Sequence, residues 1–170
     1  MTKKVLILID DRFEDMEAMY PYYRMKEAGY HVTVVGSSAG VFNGVYGYPL
    51  KADKTPSIID HKTVLAIIIP GGHAPDKLRT RPDMVELVSD CVKKGIVVAA
   101  ICHGAQLLIE ADAVRGRRAT CYKSIKTDLV NAGARYEDSS VVVDGNLITS
   151  RHPGDLPDFC RAILEKLRVL

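Results

Sequence analysis

The chain has 170 residues, 23 Lys and Arg against 21 Asp and Glu, and a formal net charge of +2. That length suits one domain with a sizeable core, and so small a charge gives no electrostatic reason to expect nucleic acid or an anionic membrane as partner. No apolar stretch approaches the roughly 20 residues that span a bilayer, and MTKKVLILIDD is too short in its apolar centre and too acidic in its flank for a secretory leader, so a cytoplasmic protein is expected.

The first apolar run, residues 5–9 (VLILI), predicts a strand. Residues 14–30 then predict a helix, with Met16, Met19, Tyr20, Tyr23 and Met25 near helical spacing, Pro21 bending it and Gly29 ending it. A second strand follows at 32–36 (VTVVG), and 41–53 (VFNGVYGYPLKAD), broken by Gly44 and Gly47, predicts a small hairpin outside the main sheet. Residues 64–70 (VLAIIIP) form a third strand. Residues 82–95 form a helix with Met84, Val85, Leu87, Val88, Cys91 and Val92 along one side, and 95–101 (GIVVAAI) a fourth strand. Downstream come a helix ending at Gly133, strands joined by the Asp144-Gly145 turn, and a closing helix over residues 155–170.

Apolar runs without alternation suit strands covered on both faces, and their alternation with helices predicts an open α/β sheet. Sites in such sheets form beyond the carboxyl ends of the strands. Four turns therefore merit inspection: DDRFED (10–15), GSSAG (36–40), PGGHAPD (70–76) and CHGAQ (102–106). The four cysteines, Cys91, Cys102, Cys121 and Cys160, form no C-x-x-C pair, so neither a zinc knuckle nor a disulfide framework is expected, and no metal or cofactor is implied.

Cys102 ends the fourth strand and precedes a helix beginning near Gly104. Unpaired amides and the positive end of the helix dipole favour a thiolate there, so Cys102 is either a nucleophile on a sharp strand-to-helix turn or a packed core cysteine. His103 is a candidate base or thiolate partner, or else a surface cap. Gly71 and Gly72 offer backbone N–H groups to a developing oxyanion, or form an ordinary turn. Glu14 begins the first helix on the same sheet edge if the strands run in flavodoxin-like order; a carboxyl there would donate a proton to the sulfur or, ionised, raise the thiol pKa. Asp15 and Glu17 are expected to be solvated charges that favour the helix start. Cys91 and Cys160 fall on apolar helix faces and are expected to be core.

The stretches FEDMEAMYPYYRMKEAGY, GYPLKAD, IIIPGGHAPDKLR, VAAICHGAQLLIEADAVRGRRAT, VNAGARYEDSSVVVDGNLITSR and HPGDLPDF resemble, essentially end to end, the PfpI-type intracellular protease and deglycase branch of the ThiJ/PfpI superfamily, related to class I glutamine amidotransferase domains. The resemblance implies a flavodoxin-like three-layer α/β sandwich in which Cys102 is the nucleophile on the elbow, His103 stands beside it and Glu14 contacts the sulfur. It places the oxyanion hole at the Gly72 and His103 amides, and substrate near Tyr122. It also implies a dimer or hexamer in which an acid from a neighbouring subunit orients the histidine; that position is Asp76 here, one methylene shorter than the family's glutamate. Cys121 would lie near the nucleophile, where a disulfide or redox role is open. Arg151 is expected to be structural, and His152 departs from the family's usual small or apolar residue.

The chemistry that follows is attack of the Cys102 thiolate on an electrophilic carbon, with His103 moving protons. A peptide carbonyl would make a cysteine peptidase. A reactive aldehyde such as methylglyoxal, or its adduct on protein, would make a glyoxalase or deglycase. The expectation from other classes is a redox-sensing chaperone using an oxidised Cys102, or a noncatalytic binding module.

Overall fold

A computed structural model describes residues 4–168. In chain order its elements are β1 (Lys4–Ile9), α1 (Asp15–Glu27), β2 (His31–Gly36), β3 (Val41–Asn43), β4 (Pro49–Lys51), β5 (Val64–Ile69), α2 (Ala74–Leu78), α3 (Pro82–Lys93), β6 (Val97–Ile101), α4 (Ala105–Glu110), β7 (Arg118–Ala119), α5 (Lys126–Asn131), β8 (Arg135–Tyr136), β9 (Val142–Asp144), β10 (Leu147–Ser150) and α6 (Leu156–Arg168). The last two residues assigned to the closing helix lie outside the described residues.

The four apolar runs form the parallel block β2-β1-β5-β6 of a six-stranded sheet ordered β2-β1-β5-β6-β10-β9, with β10 parallel to β6 and β9 antiparallel to β10. Successive side chains of β1 serve opposite faces: Leu6 and Leu8 pack with Met84, Leu87, Val88, Leu107, Leu108 and Leu129 beneath α3, α4 and α5. Val5, Ile7 and Ile9 pack with Ala18, Met25, Phe159, Ile163 and Leu164 beneath α1 and α6. This is the flavodoxin-like three-layer arrangement, and it explains why the central strands lack alternation: water reaches neither face. Cys91 belongs to the first core and Cys160 to the second, and burial pushes each thiol up to about 12.

The first helix departs from its sequence pattern. Its buried residues are Asp15, Glu17, Ala18, Pro21 and Met25, while Met16, Tyr20 and Tyr23 are exposed. Two acids thus face inward and an apolar stripe faces out, the reverse of the solvated role expected for Asp15 and Glu17. The helix continues through Pro21. Helix phase explains the inversion, because a backbone bridge between Phe13 and Gly72 anchors the chain entering α1 to the loop after β5, and this fixes which side of the first turn faces the sheet.

The carboxyl ends of β1, β5 and β6 converge. The Glu14 amide donates to the Gly71 carbonyl (3.1 Å) and the His73 amide to the Arg12 carbonyl (2.8 Å), tying two of those loops together. Behind Cys102, Gly104 lies so close to the next strand that an added Cβ would sit 2.3 Å from the Ile69 carbonyl oxygen. Backbone cannot yield as a side-chain tip does, so Gly104→Ala is expected to cost about 2–3 kcal/mol through overpacking and to lower Tm by roughly 5–10 °C. A calorimetric melt of the variant checks this; an unchanged Tm would show that the elbow has room to shift.

Candidate active site

Cys102 follows β6 directly and takes φ +61°, left-handed backbone that a non-glycine residue rarely adopts. Holding it there costs on the order of 1–3 kcal/mol, a cost that clusters at functional sites. The turn through Cys102–Gly104 leads straight into α4, so the side chain stands where strand becomes helix. The residue is only 7% exposed, yet it lines a cleft of about 760 Å³ together with Arg12, Glu14, Glu17, Gly72, His73 and His103.

Two backbone N–H groups, those of Gly72 and His103, are directed at the sulfur. Gly72 has φ +78°. Gly71 is different: its N–H donates to Glu17 Oε2 at 2.7 Å, so it has no donor to offer an oxyanion. What Gly71 supplies is space, since a Cβ there would meet Cys102 Cβ at 2.7 Å and Glu17 Oε2 at 2.6 Å.

The carboxyl beside the sulfur belongs to Glu17, not Glu14. Glu14 is the N-cap of α1, its Oε2 accepting from the Glu17 amide at 2.8 Å. With its carboxylate turned to that amide it holds the helix start, and the side chain three residues on points into the site. Glu17 is fully buried, and its carboxyl and the Cys102 sulfur flank Gly71 together, both within 3.0 Å of where a Cβ on that residue would sit. Its Oε1 has no hydrogen-bond partner among the described residues. Burial, opposed by the Gly71 amide and helped by the charge of Glu14, pushes its pKa up to about 8. Glu17 therefore carries a proton at neutral pH, with its carboxyl beside the sulfur. Burial, and next the charge of Glu17 when ionised, hold the Cys102 thiol up, while the two amides oppose them. Neutralising Glu17 removes the second of these, so the protonation of one side chain governs that of the other.

His103 Nδ1 lies 3.3 Å from Cys102 Sγ, so the neighbouring histidine does reach the sulfur. Its Nε2 lies 3.1 Å from Ser124 Oγ. The Tyr122 ring stacks on the imidazole at 5.0 Å between centroids, and the Tyr122 amide donates to the Cys102 carbonyl. Burial first, and the nearby His73 second, hold the His103 pKa below the usual histidine value. Asp76, in α2, is exposed on the rim of the same cleft. Within the chain it is not the partner of His103, whose ring nitrogens face Cys102 and Ser124.

Two further features, the Asp15 clamp and Ser124, escaped sequence reasoning. Asp15 accepts from the Tyr46 and Tyr48 amides, both at 2.9 Å, clamping the β3–β4 hairpin beside the cleft, and Gly44 leaves the room for its carboxylate. That clamp places Tyr46, 81% exposed, at the cleft mouth. Ser124 belongs to a loop whose spacing carried no signal. Arg151 is tied by its side chain to Asp155 and Asp138, with His152 beside Asp155, which makes it structural. Cys121 is buried and unpaired among the described residues, its thiol pushed up to about 12 by burial. Among the described residues no cluster of three or more His, Cys, Asp or Glu is placed to hold a metal ion, and no helix is long and apolar enough to cross a membrane.

An open α/β sheet with a strained cysteine on its strand-to-helix elbow, a buried acid against the sulfur and an adjacent histidine defines a class of nucleophile-elbow proteins. Residues 3–166 match the DJ-1/PfpI family, and the chain belongs to that family. It is 41% identical over 165 residues to "Deglycase PfpI" of Pyrococcus furiosus, covering 97% of this chain and 99% of that one. YraA of Bacillus subtilis, whose name assigns it provisionally to the cysteine proteases, is 43% identical over 169 residues, covering 99% of this chain and 100% of that one. Among solved structures, a two-domain protein from Anabaena variabilis containing DJ-1/ThiJ/PfpI-like and ferritin-like domains superposes with TM-score 0.96 at 46% identity, covering 98% of this chain and 48% of that one.

Proposed function

We propose that the protein is a cytoplasmic cysteine-dependent enzyme acting on small reactive carbonyl compounds, methylglyoxal or its adducts on protein, as a glyoxalase or deglycase. The observation that carries this reading is the environment of Cys102: a sulfur 7% exposed, faced by two amides, the protonated Glu17 and His103 Nδ1 at 3.3 Å. The Pyrococcus furiosus relative's name supports it. In the step proposed, the Cys102 thiol gives its proton to His103 and the sulfur bonds to the aldehyde carbon. The carbonyl electron pair moves to oxygen, which takes up the proton as the Gly72 and His103 amides turn from sulfur to oxyanion. Tyr122 forms one wall of the substrate space.

A peptidase using the same nucleophile is the second reading, favoured by the name of YraA. An extended peptide must lie along a groove, whereas this sulfur stands deep in a cleft of about 760 Å³, which favours the small aldehyde. A homo-oligomer belongs to the same proposal. The exposed Met16, Tyr20 and Tyr23 border a groove with Pro153 and Leu156 beside the site, an apolar surface of the kind that self-association covers. Asp76 on the rim is then free to reach a neighbouring subunit's site.

The test is turnover of methylglyoxal, followed as aldehyde loss and lactate formation, beside a fluorogenic peptide. Turnover of the aldehyde with the peptide untouched is the expected result. Cleavage of the peptide alone would replace this reading with the peptidase.

A further inference from the structure

An imidazole can serve as base at one nitrogen only if something fixes which nitrogen carries the proton in its neutral form. In this chain Nδ1 faces the sulfur and can take the thiol proton only in the tautomer whose hydrogen is on Nε2, so the atom facing Nε2 decides the matter. That atom is the Ser124 hydroxyl oxygen, at 3.1 Å. The segment carrying it is itself fastened to the elbow: the Tyr122 amide donates to the Cys102 carbonyl, the Tyr122 ring stacks on the imidazole, and the Ile125 amide donates back to the Tyr122 carbonyl to close the turn around Ser124. Residues 122–124 thus hold the imidazole by one face and by the edge away from the sulfur.

We propose that Ser124 is the positioning residue for His103 within its own chain, its hydroxyl oxygen accepting from Nε2–H so that bare Nδ1 is aimed at the Cys102 thiol. The proposal rests on the cysteine chemistry above and adds to it the group that completes a Cys102–His103–Ser124 line without a partner subunit. When the thiol proton moves to Nδ1, the sulfur keeps the bonding electron pair and the imidazolium keeps its Nε2–H on Ser124, so no second proton has to move. A neutral hydroxyl orients the ring without adding the Coulomb attraction by which a carboxylate holds an imidazolium. The ring is then free to stay neutral, and basic, at physiological pH.

The charged and titratable groups about the ring come from several elements: Glu14 and Glu17 from the start of α1, Arg12 before it, His73, Asp76 and Lys77 from the loop and helix after β5, and Tyr122 on its face. Of these His73 acts on the ring directly, lowering its proton affinity after burial does. A carboxylate at position 124 would oppose both.

The experiment compares wild type with Ser124→Ala, Ser124→Thr and Ser124→Asp. It reads the His103 ring titration by NMR, the rate of Cys102 alkylation by iodoacetamide at neutral pH, and kcat and KM for methylglyoxal. Ser124 is exposed, so none of the changes disturbs a core. Ser124→Ala is expected to slow alkylation and lower kcat by about tenfold, the order of one net hydrogen bond, with KM little changed. Ser124→Thr is expected to restore both, and Ser124→Asp to raise the His103 titration by about one pH unit or more. Wild-type alkylation in Ser124→Ala, a failure of Ser124→Thr to rescue, or an unmoved titration in Ser124→Asp would each overturn the proposal. Alkylation and titration need no substrate, so absence of methylglyoxal turnover in every variant would count against the proposed function alone and leave Ser124 to be judged on the other two readings.

Discussion

Cys102→Ala is expected to abolish turnover of methylglyoxal, a fall of at least about a thousandfold, because no other thiol lines the cleft. The alternative nucleophiles are excluded by position: Cys91 and Cys160 lie in the two cores, and Cys121 is buried outside the lining of this cleft. Cys102→Ser should fall nearly as far although it preserves shape and hydrogen bonding, since an alcohol is a far weaker nucleophile than a thiol at neutral pH. A circular-dichroism melt beside the kinetics separates lost chemistry from lost structure. Residual activity in Cys102→Ala above about a tenth of wild type would remove the cysteine from the mechanism. Silence of the wild type on aldehyde and peptide alike, with peroxide oxidising Cys102 selectively, would shift the protein toward redox sensing.

The sheet was legible because burial on both faces leaves a strong mark: VLILI, VTVVG, VLAIIIP and GIVVAAI admit few other structures, and each is a strand within a residue or two of its expected bounds. Cys102 was legible for a related reason. A small reactive residue between an apolar strand and a Gly-containing helix start has few structural justifications, and φ +61° shows that the chain accepts strain to hold it there.

The acids of α1 were not legible. Glu14, Asp15 and Glu17 all suit a helix N-terminus on charge, and composition cannot say which turns inward. That choice was made by contacts distant in sequence: the Phe13–Gly72 bridge sets the helix phase, the Gly71 amide receives Glu17, and the Tyr46 and Tyr48 amides receive Asp15. Gly71 was misplaced for the same reason. Its N–H looks available for an oxyanion until the carboxylate that accepts it is known. Ser124 left no trace in the sequence because a serine in a polar loop is ordinary, and only the fold brings it to His103.

The inward acid leads to a prediction with opposite signs for stability and chemistry. Glu17 titrates near 8 in the folded chain against an ordinary 4.5, so the native state holds the proton more tightly than the unfolded state. The stability linked to that proton is fully present below about pH 4.5 and lost as pH rises through about 8. A shift of this size corresponds to at most about 5 kcal/mol, and each kcal/mol moves Tm by roughly 2–4 °C in a chain of this length. Glu17→Gln does not titrate, keeps an oxygen for the Gly71 amide and an N–H for the sulfur, and is expected to melt several degrees above wild type at pH 8 while differing little at pH 4.5. In turnover the wild type should lose activity as pH rises through about 8, where the carboxylate opposes the thiolate. Glu17→Gln should lose that alkaline fall and run about tenfold slower at neutral pH, an amide being the weaker donor to sulfur. Glu14→Gln is the control: it weakens an N-cap, costs about 1 kcal/mol or less, and should leave the alkaline limb in place. If Glu14→Gln removes the limb and Glu17→Gln retains it, the acid that governs the sulfur is Glu14 after all, and the inward turn of Glu17 has only a structural meaning.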